Sequence, residues 1–183
     1  MSKDVSFRKA TMDDLDRISE IYEMIHDLEE QGEITVGWIR GVYPTRDTAQ
    51  AAIRADEMFV EEFDGRIVAS GKINQSQEDS YAGGDWRYDV PNDQVMVLHT
   101  LTVAPDEGKH GFGTRFAAFY EQYALDHGCP YLRIDTNARN ARARALYAKL
   151  GYTEVGIVPT VFNNIPDVQL VLLEKKAVAK PHR

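Results

Sequence analysis

Residues 95–115 read VMVLHTLTVAPDEGKHGFGTR, and three local signals follow one another within them. Val95 to Val103 is a nearly continuous apolar and β-branched run, the pattern of a central strand buried on both faces. Ala104-Pro105 stops it, Gly108, Gly111 and Gly113 make a flexible turn, and apolar residues return at helical spacing at Phe116, Phe119, Tyr120 and Tyr123, up to about Leu125. A strand that feeds a helix through glycines is a phosphate cradle in outline. Glycines allow close approach to the backbone, unpaired N–H groups converge, and the helix N-terminus adds about half a positive charge. Lys109, His110 and Arg115 put basic groups beside it. Alone, such a turn fits a ligand-free connection equally well. A Walker loop needs Ser or Thr after Gly-Lys, whereas His110 follows Gly108-Lys109, and a dinucleotide fingerprint needs a third glycine that Arg115-Phe116 does not supply.

Outward from this stretch the chain alternates strands and helices. Val5 to Arg8 reads as a strand, and Leu15, Ile18, Ile21, Tyr22 and Ile25 form one helical stripe to about Leu28, after Thr11 and the acidic Asp13 and Asp14. Thr45 or Asp47 caps a second helix through Ala49, Ala52 and Ile53. Met58 to Phe63 and Arg66 to Ile73 flank Asp64-Gly65, a hairpin signal because this pair accepts positive φ. Residues 75–93 are polar with Gly83-Gly84 and Pro91, and predict a long surface connection. After the central unit come a strand at Tyr131 to Asp135, a helix from Asn137 to Leu150 ended by Gly151, and strands at Tyr152 to Val158 and Val168 to Leu173. The expected organisation is one domain over residues 1–174 and a charged, fraying tail over 175–183.

The 183 residues carry 21 Lys plus Arg against 29 Asp plus Glu, a formal charge of −8 that disfavours broad nucleic-acid or anionic-membrane binding. The single cysteine, Cys129, excludes an internal disulfide, and no Cys/His cluster has zinc spacing, so no metal is expected. The opening residues hold no signal-like apolar run and no window spans a bilayer, so the expected location is cytoplasmic.

A second informative unit is Asn137 to Tyr152, NARNARARALYAKLGY, where Ala141, Ala145 and Ala148 permit close helix packing beside Arg139, Arg142 and Arg144. A strand ending in LxV, a GxG turn into a helix, another strand, and NxxAxxLYxKLGY at this distance resemble the GCN5-related N-acetyltransferase superfamily. The order of elements fits over residues 5–174, and the specific motifs lie within 95–152. The resemblance implies an α/β (α+β) fold: a mixed, mostly antiparallel sheet of six or seven strands, flanked by helices and splayed between strands 4 and 5, with coenzyme A in the cleft.

It further implies an acetyl-CoA-dependent transfer to a primary amine by direct attack in a ternary complex. Pantetheine would run along Leu101, Thr102 and Val103, pairing with the backbone of the first and last. The pyrophosphate would take N–H groups across Gly108, Lys109, His110, Gly111, Phe112, Gly113 and Thr114. Asn140 would reach the cofactor, and Tyr147 would sit near its sulfur. A phenol's ordinary pKa is near that of a thiol, so Tyr147 is suited to protonate the departing thiolate. Relatives often carry Glu where His99 stands, which makes His99 a candidate general base near neutral pH; it also fits a hydrogen-bonded core histidine. Glu61, Glu62, Asp135 and Tyr88 are further candidates for proton removal that spacing does not rank. At Gly108 the family more often has Gln or Arg.

Trp38, Tyr43, Trp86, Tyr88 and Phe162-Asn163, with Asp85 and Asp89, fall in segments that border the acceptor cleft of similar proteins and suit a cationic amine. A small-molecule amine is the expected partner, with a homodimer through closing strands such as Val168 to Leu173. Acetylation of protein N-termini or lysines, and a non-catalytic CoA sensor, are the rival functions.

Overall fold

The structure, a computed structural model, describes residues 4–181. Among them the chain forms β1 (Val5–Lys9), α1 (Leu15–Glu30), α2 (Arg46–Arg54), β2 (Met58–Phe63), β3 (Arg66–Asn74), β4 (Val95–Val103), α3 (Phe112–Asp126), β5 (Tyr131–Asn137), α4 (Ala141–Lys149), β6 (Thr153–Phe162) and β7 (Ile165–Lys176). The strands make one sheet in the order β1-β2-β3-β4-β5-β7-β6. Every pairing is antiparallel except β4 with β5. This is the mixed sheet that the motifs imply.

Local chemistry accounts for most boundaries. Asp64 and Gly65 both adopt positive φ, so Phe63 pairs directly with Arg66 across a two-residue turn. Thr45, rather than Asp47, caps α2, its hydroxyl accepting from the Thr48 amide. The helix expected from Asn137 starts four residues later. Asn137 still pairs with Leu170 at the end of β5, and the Asn140 side chain caps α4 by accepting from the Ala143 amide. The expected tail also starts later, because Lys175 and Lys176 belong to β7 and the Ala177 amide donates to the Pro130 carbonyl. His182 and Arg183 lie outside the described residues.

Three apolar clusters hold the sheet. Phe112, Phe116 and Tyr120 of α3 pack on Phe59, Met96 and Leu98 on one face. Ile18, Ile21 and Tyr22 of α1 join Ala52 and Ile53 of α2 over Met58 and Val60. The third cluster corrects the reading of residues 75–93 as a surface connection. Tyr81 is buried, and with Trp86 and Val90 it covers Val95, Val97 and Leu172, a part of the sheet that no α-helix among the described residues covers.

The central strand is not uniform. Val95 to Leu98 are buried and pair with Tyr131 to Ile134 of β5, and there the β4–β5 pairing ends. Across β3 the register slips: Ser70 pairs with Thr102 but Lys72 with His99, so Thr100 and Leu101 oppose the single residue Gly71. Thr100 takes φ +54°, uncommon for a β-branched residue. Past this bulge β4 diverges from β5, which continues along β7 to Asn137. The expected splay is this wedge, and on the side away from β3 the second half of β4 faces it rather than a neighbouring strand. Among the described residues no helix is long and apolar enough to cross a membrane.

Gly71 is the residue that makes the bulge possible. A Cβ there would lie 2.7 Å from Phe116 and 2.9 Å from Leu98. Gly71→Ala is therefore expected to cost about 1–3 kcal/mol through overpacking and to lower the melting temperature by about 3–10 °C, read by calorimetry. An unchanged melting temperature would show that the site relaxes freely.

Candidate active site

The wedge between β4 and β5 opens into a cavity of about 1180 Å³. His99, Leu101, Thr102 and Val103 line it from β4, Gly108 to Thr114 from the turn, and Asn140 and Tyr147 from α4. All the residues singled out for catalysis and for the cofactor thus meet on one cavity, although the sequence spreads them over some fifty positions.

Backbone geometry determines what the cleft can hold. Strand residues direct their amide groups to alternate sides. The Ala104 amide donates to the Val68 carbonyl on β3, so Val103 turns its N–H and C=O to the other side, toward the wedge. Leu101 does the same by alternation. Both present strand-like hydrogen-bonding groups where the partner strand has left. Thr102 turns its backbone to β3, as Ala104 does, and its buried hydroxyl bonds Ser70 Oγ at 2.7 Å, so it offers the cleft no free polar group.

At the mouth, α3 begins after Gly111. The Phe112, Gly113 and Thr114 amides have no intrahelical acceptor, whereas Arg115 is the first to bond back, to the Gly111 carbonyl. Phe112 buries its side chain and so offers only its amide. Gly108 sits at φ +74°, ψ −171°, a conformation open to glycine and strained for a residue with a side chain such as Gln or Arg. Lys109 and His110 line this end and make it basic, and Arg139, Arg142 and Lys149 line the cavity from the segment of α4. Arg115 departs from expectation: it is not on the cavity, and its guanidinium is engaged by Glu61 and the His110 carbonyl.

The other end is acidic and aromatic. Glu33, Glu78 and Asp135 line it together with Trp38, Tyr43 and Phe162. Tyr43 meets Trp38 and Phe162 edge to face, each at 6.1 Å, and its hydroxyl bonds Thr100 Oγ1 at the bulge. Trp86 and Tyr88 do not reach the cavity. Trp86 stacks on the Arg133 guanidinium, and Tyr88 lies against Tyr131. Sequence reasoning does not single out Glu33 or Glu78; the one cue for Glu78 is its place in the long 75–93 segment.

The structure also ranks the proton acceptors. Glu62 pairs with Arg8 and Glu61 with Arg115, both away from the cavity. Asp135 lines it, accepts a 2.6 Å hydrogen bond from Tyr81 Oη, and is pushed up to about 7 by burial, with Glu78 adding repulsion and the Tyr81 bond partly offsetting it. His99 is pushed down to about 4, chiefly by burial and then by Lys72, so it is neutral at neutral pH and a weaker base than an ordinary histidine. The Asn74 Oδ1 already accepts from the Ser76 amide, so His99 Nε2–H donates to it at 2.7 Å and Nδ1 keeps its lone pair. Tyr147 is buried among Tyr152 and the α3 core, and burial and Asp135 raise its pKa, so the phenol keeps its proton. No protein group among the described residues bonds that hydroxyl.

Comparison with known proteins fits this geometry. The sequence profile of the acetyltransferase (GNAT) family matches residues 18–152. The Bacillus subtilis (strain 168) protein YhfO, named an uncharacterized N-acetyltransferase, is 33% identical over 61 residues, which are 33% of this chain and 41% of that protein. The chain thus aligns with under half of that relative's length. Its fold is shared with a GNAT-family acetyltransferase from Streptococcus agalactiae 2603, at TM-score 0.73 and 22% identity over 96% of each chain. It is shared also with yncA from Salmonella typhimurium, solved with its cofactor acetyl-CoA, at TM-score 0.67 and 18% identity over 98% of each. The ribosomal-protein-S18-alanine N-acetyltransferase from Escherichia coli follows at TM-score 0.65 and 16% identity over 97% of each.

The raised pKa of Asp135 has a stability consequence. Because the folded value of about 7 exceeds the ordinary 3.8, the folded state keeps a proton that the unfolded chain releases, and this contribution is lost as pH rises through 7. Asp135→Asn should therefore melt close to the parent at pH 4 and above it at pH 8, where the difference is on the order of 4 kcal/mol. An equal difference at both pH values would exclude a raised pKa.

Proposed function

The chain belongs to the acetyltransferase (GNAT) family, and from that premise we propose that it transfers an acetyl group from acetyl-CoA to the primary amine of a small molecule, by direct attack in a ternary complex. The observation that carries this reading is one continuous cavity with a basic, amide-rich mouth, an acidic aromatic end and Tyr147 on its wall. Its chemical asymmetry matches an anionic donor meeting a cationic acceptor.

The residues present fit the donor. The unpaired amides from Lys109 to Thr114 would take its pyrophosphate, the exposed backbone of Leu101 and Val103 its pantetheine amides, and Asn140 a further polar group. When bound, acetyl-CoA supplies a thioester carbonyl open to nucleophiles and a sulfur that leaves as thiolate. Asp135, titrating near 7, takes the proton from the acceptor's ammonium. Neutral His99 accepts a hydrogen bond at Nδ1 and helps to orient the amine or a water beside it. Tyr147 Oη holds the proton that a departing thiolate needs. Trp38, Tyr43 and Phe162 hold a cation over their rings and keep bulk water out. Cys129 supports direct attack over an acyl-cysteine route: it is buried away from the cavity, with Sγ toward the Asp93 carbonyl at 3.3 Å.

Two segments narrow the acceptor end and favour a small substrate over a protein. Residues 33–38 lean across it, with Gly37 so close to Asn137 that a Cβ would meet Nδ2 at 2.2 Å, and the 75–93 segment contributes Glu78. A cytoplasmic enzyme is the accompanying reading. A homodimer is included too, but not through Val168 to Leu173, because β7 is paired on both sides; the free edge is β6, where Ile157 and Val161 are 51% and 68% exposed, and mass measurement in solution tests it.

Thiol release from acetyl-CoA against free amines and against peptides tests the acceptor class. Turnover with a free amine is expected, and turnover confined to peptides would reassign the acceptor to protein. With that amine, Tyr147→Phe should lower kcat about a hundredfold while the Kd for acetyl-CoA changes less than about threefold. Asp135→Asn should lower it comparably and remove the activity rise near pH 7. Full turnover by Tyr147→Phe at saturating donor would end the acid assignment.

A further inference from the structure

Glu61 and Arg115 form an ion pair, buried at its carboxylate and part-exposed at its guanidinium, that the cleft's chemistry leaves unused. Glu61 on β2 is fully buried, and its Oε1 accepts from Arg115 Nε at 3.0 Å. Arg115 Nη1 donates to the His110 carbonyl at 2.9 Å, and the guanidinium lies 4.8 Å from the centroid of the Phe112 ring. Glu61 Oε2 and Arg115 Nη2 are buried without partners among the described residues. A fully buried carboxylate with one oxygen unsatisfied is a poor source of stability, so the value of the pair lies in what it holds in place.

What it holds is one peptide plane. In a trans peptide the carbonyl oxygen of one residue and the N–H of the next point in opposite directions. Arg115 draws the His110 oxygen to its own side of the turn, away from the cavity. The Gly111 N–H of the same unit then points to the opposite side, where Gly111 lines the cavity. The His110 ring is stacked on Phe63 with centroids 5.6 Å apart, which further limits rotation of the turn.

We propose that Arg115, fixed by Glu61, is a positioning residue that turns the His110–Gly111 peptide so that the Gly111 amide donates to a phosphate bound in the turn. This rests on the reading of the turn as the pyrophosphate cradle of the acyl donor. Arg115 acts without touching the anion, because the two donors that have partners face Glu61 and His110. A backbone donor aimed in advance replaces the long side chain that the family more often supplies at Gly108.

CoA is the probe, followed by calorimetry and by the Gly111 amide resonance in ¹⁵N–¹H spectra. Arg115→Met keeps the stem over Phe112 and removes every donor, but leaves Glu61 buried and unpaired. The double variant Glu61→Gln/Arg115→Met removes both charges and guards against simple unfolding. In the wild type the Gly111 amide proton should move downfield on CoA addition. In the double variant that movement should vanish and the Kd should rise about tenfold, as for loss of a hydrogen bond to a charged group. If the double variant fails to fold, Arg115→Lys, which retains the charge but lacks the fork to span both acceptors, should show the same two losses. Binding within about twofold of wild type, or a Gly111 response that survives, would overturn the positioning role and leave the cradle intact. A wild type that takes no CoA at millimolar concentration would overturn the cradle itself.

Discussion

The architecture depends on one interruption: β4 is held on both sides up to Leu98 and on one side after it. A β-strand cannot leave its neighbour without exposing a row of donors and acceptors, and unpaired backbone groups inside a protein are costly. The bulge at Thr100 and Leu101 opens a cleft there, and side chains do not close it. The groups of Leu101 and Val103 remain available to a ligand that behaves as a short strand. Everything else that reaches the cavity is arranged around that missing strand: the N-terminus of α3 at one end, α4 on the wall, and the α1–α2 segment across the other end.

The same cleft separates charge along its length. Lys109 and His110 stand where unpaired helix amides already favour anions, and Glu33, Glu78 and Asp135 line the cavity with aromatic rings that favour cations. The protein as a whole is acidic, so the basic mouth is local and does not follow from net charge. Burial then divides the titratable groups by type. It raises Asp135 and Tyr147 and lowers His99, leaving a carboxyl that gains and loses a proton near neutrality beside a phenol that keeps its own. A carboxyl poised at that value suits proton removal better than an imidazole that has lost much of its basicity.

Much of this was legible in the sequence, for identifiable reasons. Strand β4, the glycine turn and the LYAKLGY helix are contiguous and strongly patterned, so the two halves of the cleft could be read and their residues named. The Asp64-Gly65 hairpin was equally local. What escaped was set by contacts between distant segments. The bulge left only an isolated glycine within a strand, Gly71, as its sign. The burial of Tyr81 follows from a sheet face that no α-helix among the described residues covers, which spacing cannot show. The resemblance pointed to His99 as the base, and spacing did not rank Asp135 against Glu61, Glu62 and Tyr88, because desolvation and access to the cavity are properties of the folded surroundings. Arg115 looked like an anion ligand because the sequence does not show that Glu61, 54 positions earlier, lies beside it.

These sites share an energetic character. Thr100 at positive φ, a turn that requires Gly108, a carboxyl held at Asp135 and a half-satisfied pair at Glu61 and Arg115 each cost stability, about 1–3 kcal/mol for the strained backbone alone. They lie on β2, β4, β5 and the turn before α3: Arg115 packs on Phe112 of the cluster of Phe59, Leu98, Phe112, Phe116 and Tyr120, whereas Asp135 and Thr100 are bonded by Tyr81 and Tyr43 of the third cluster. The two clusters offset the strain and keep it from relaxing. Phe116 and Leu98 fill the space against Gly71 that the bulge would otherwise collapse into, and Phe112 backs the guanidinium that orients the turn. The core and the cleft are therefore one construction: the side chains that bury most apolar surface are also those that hold the backbone in the geometry a bound donor would find.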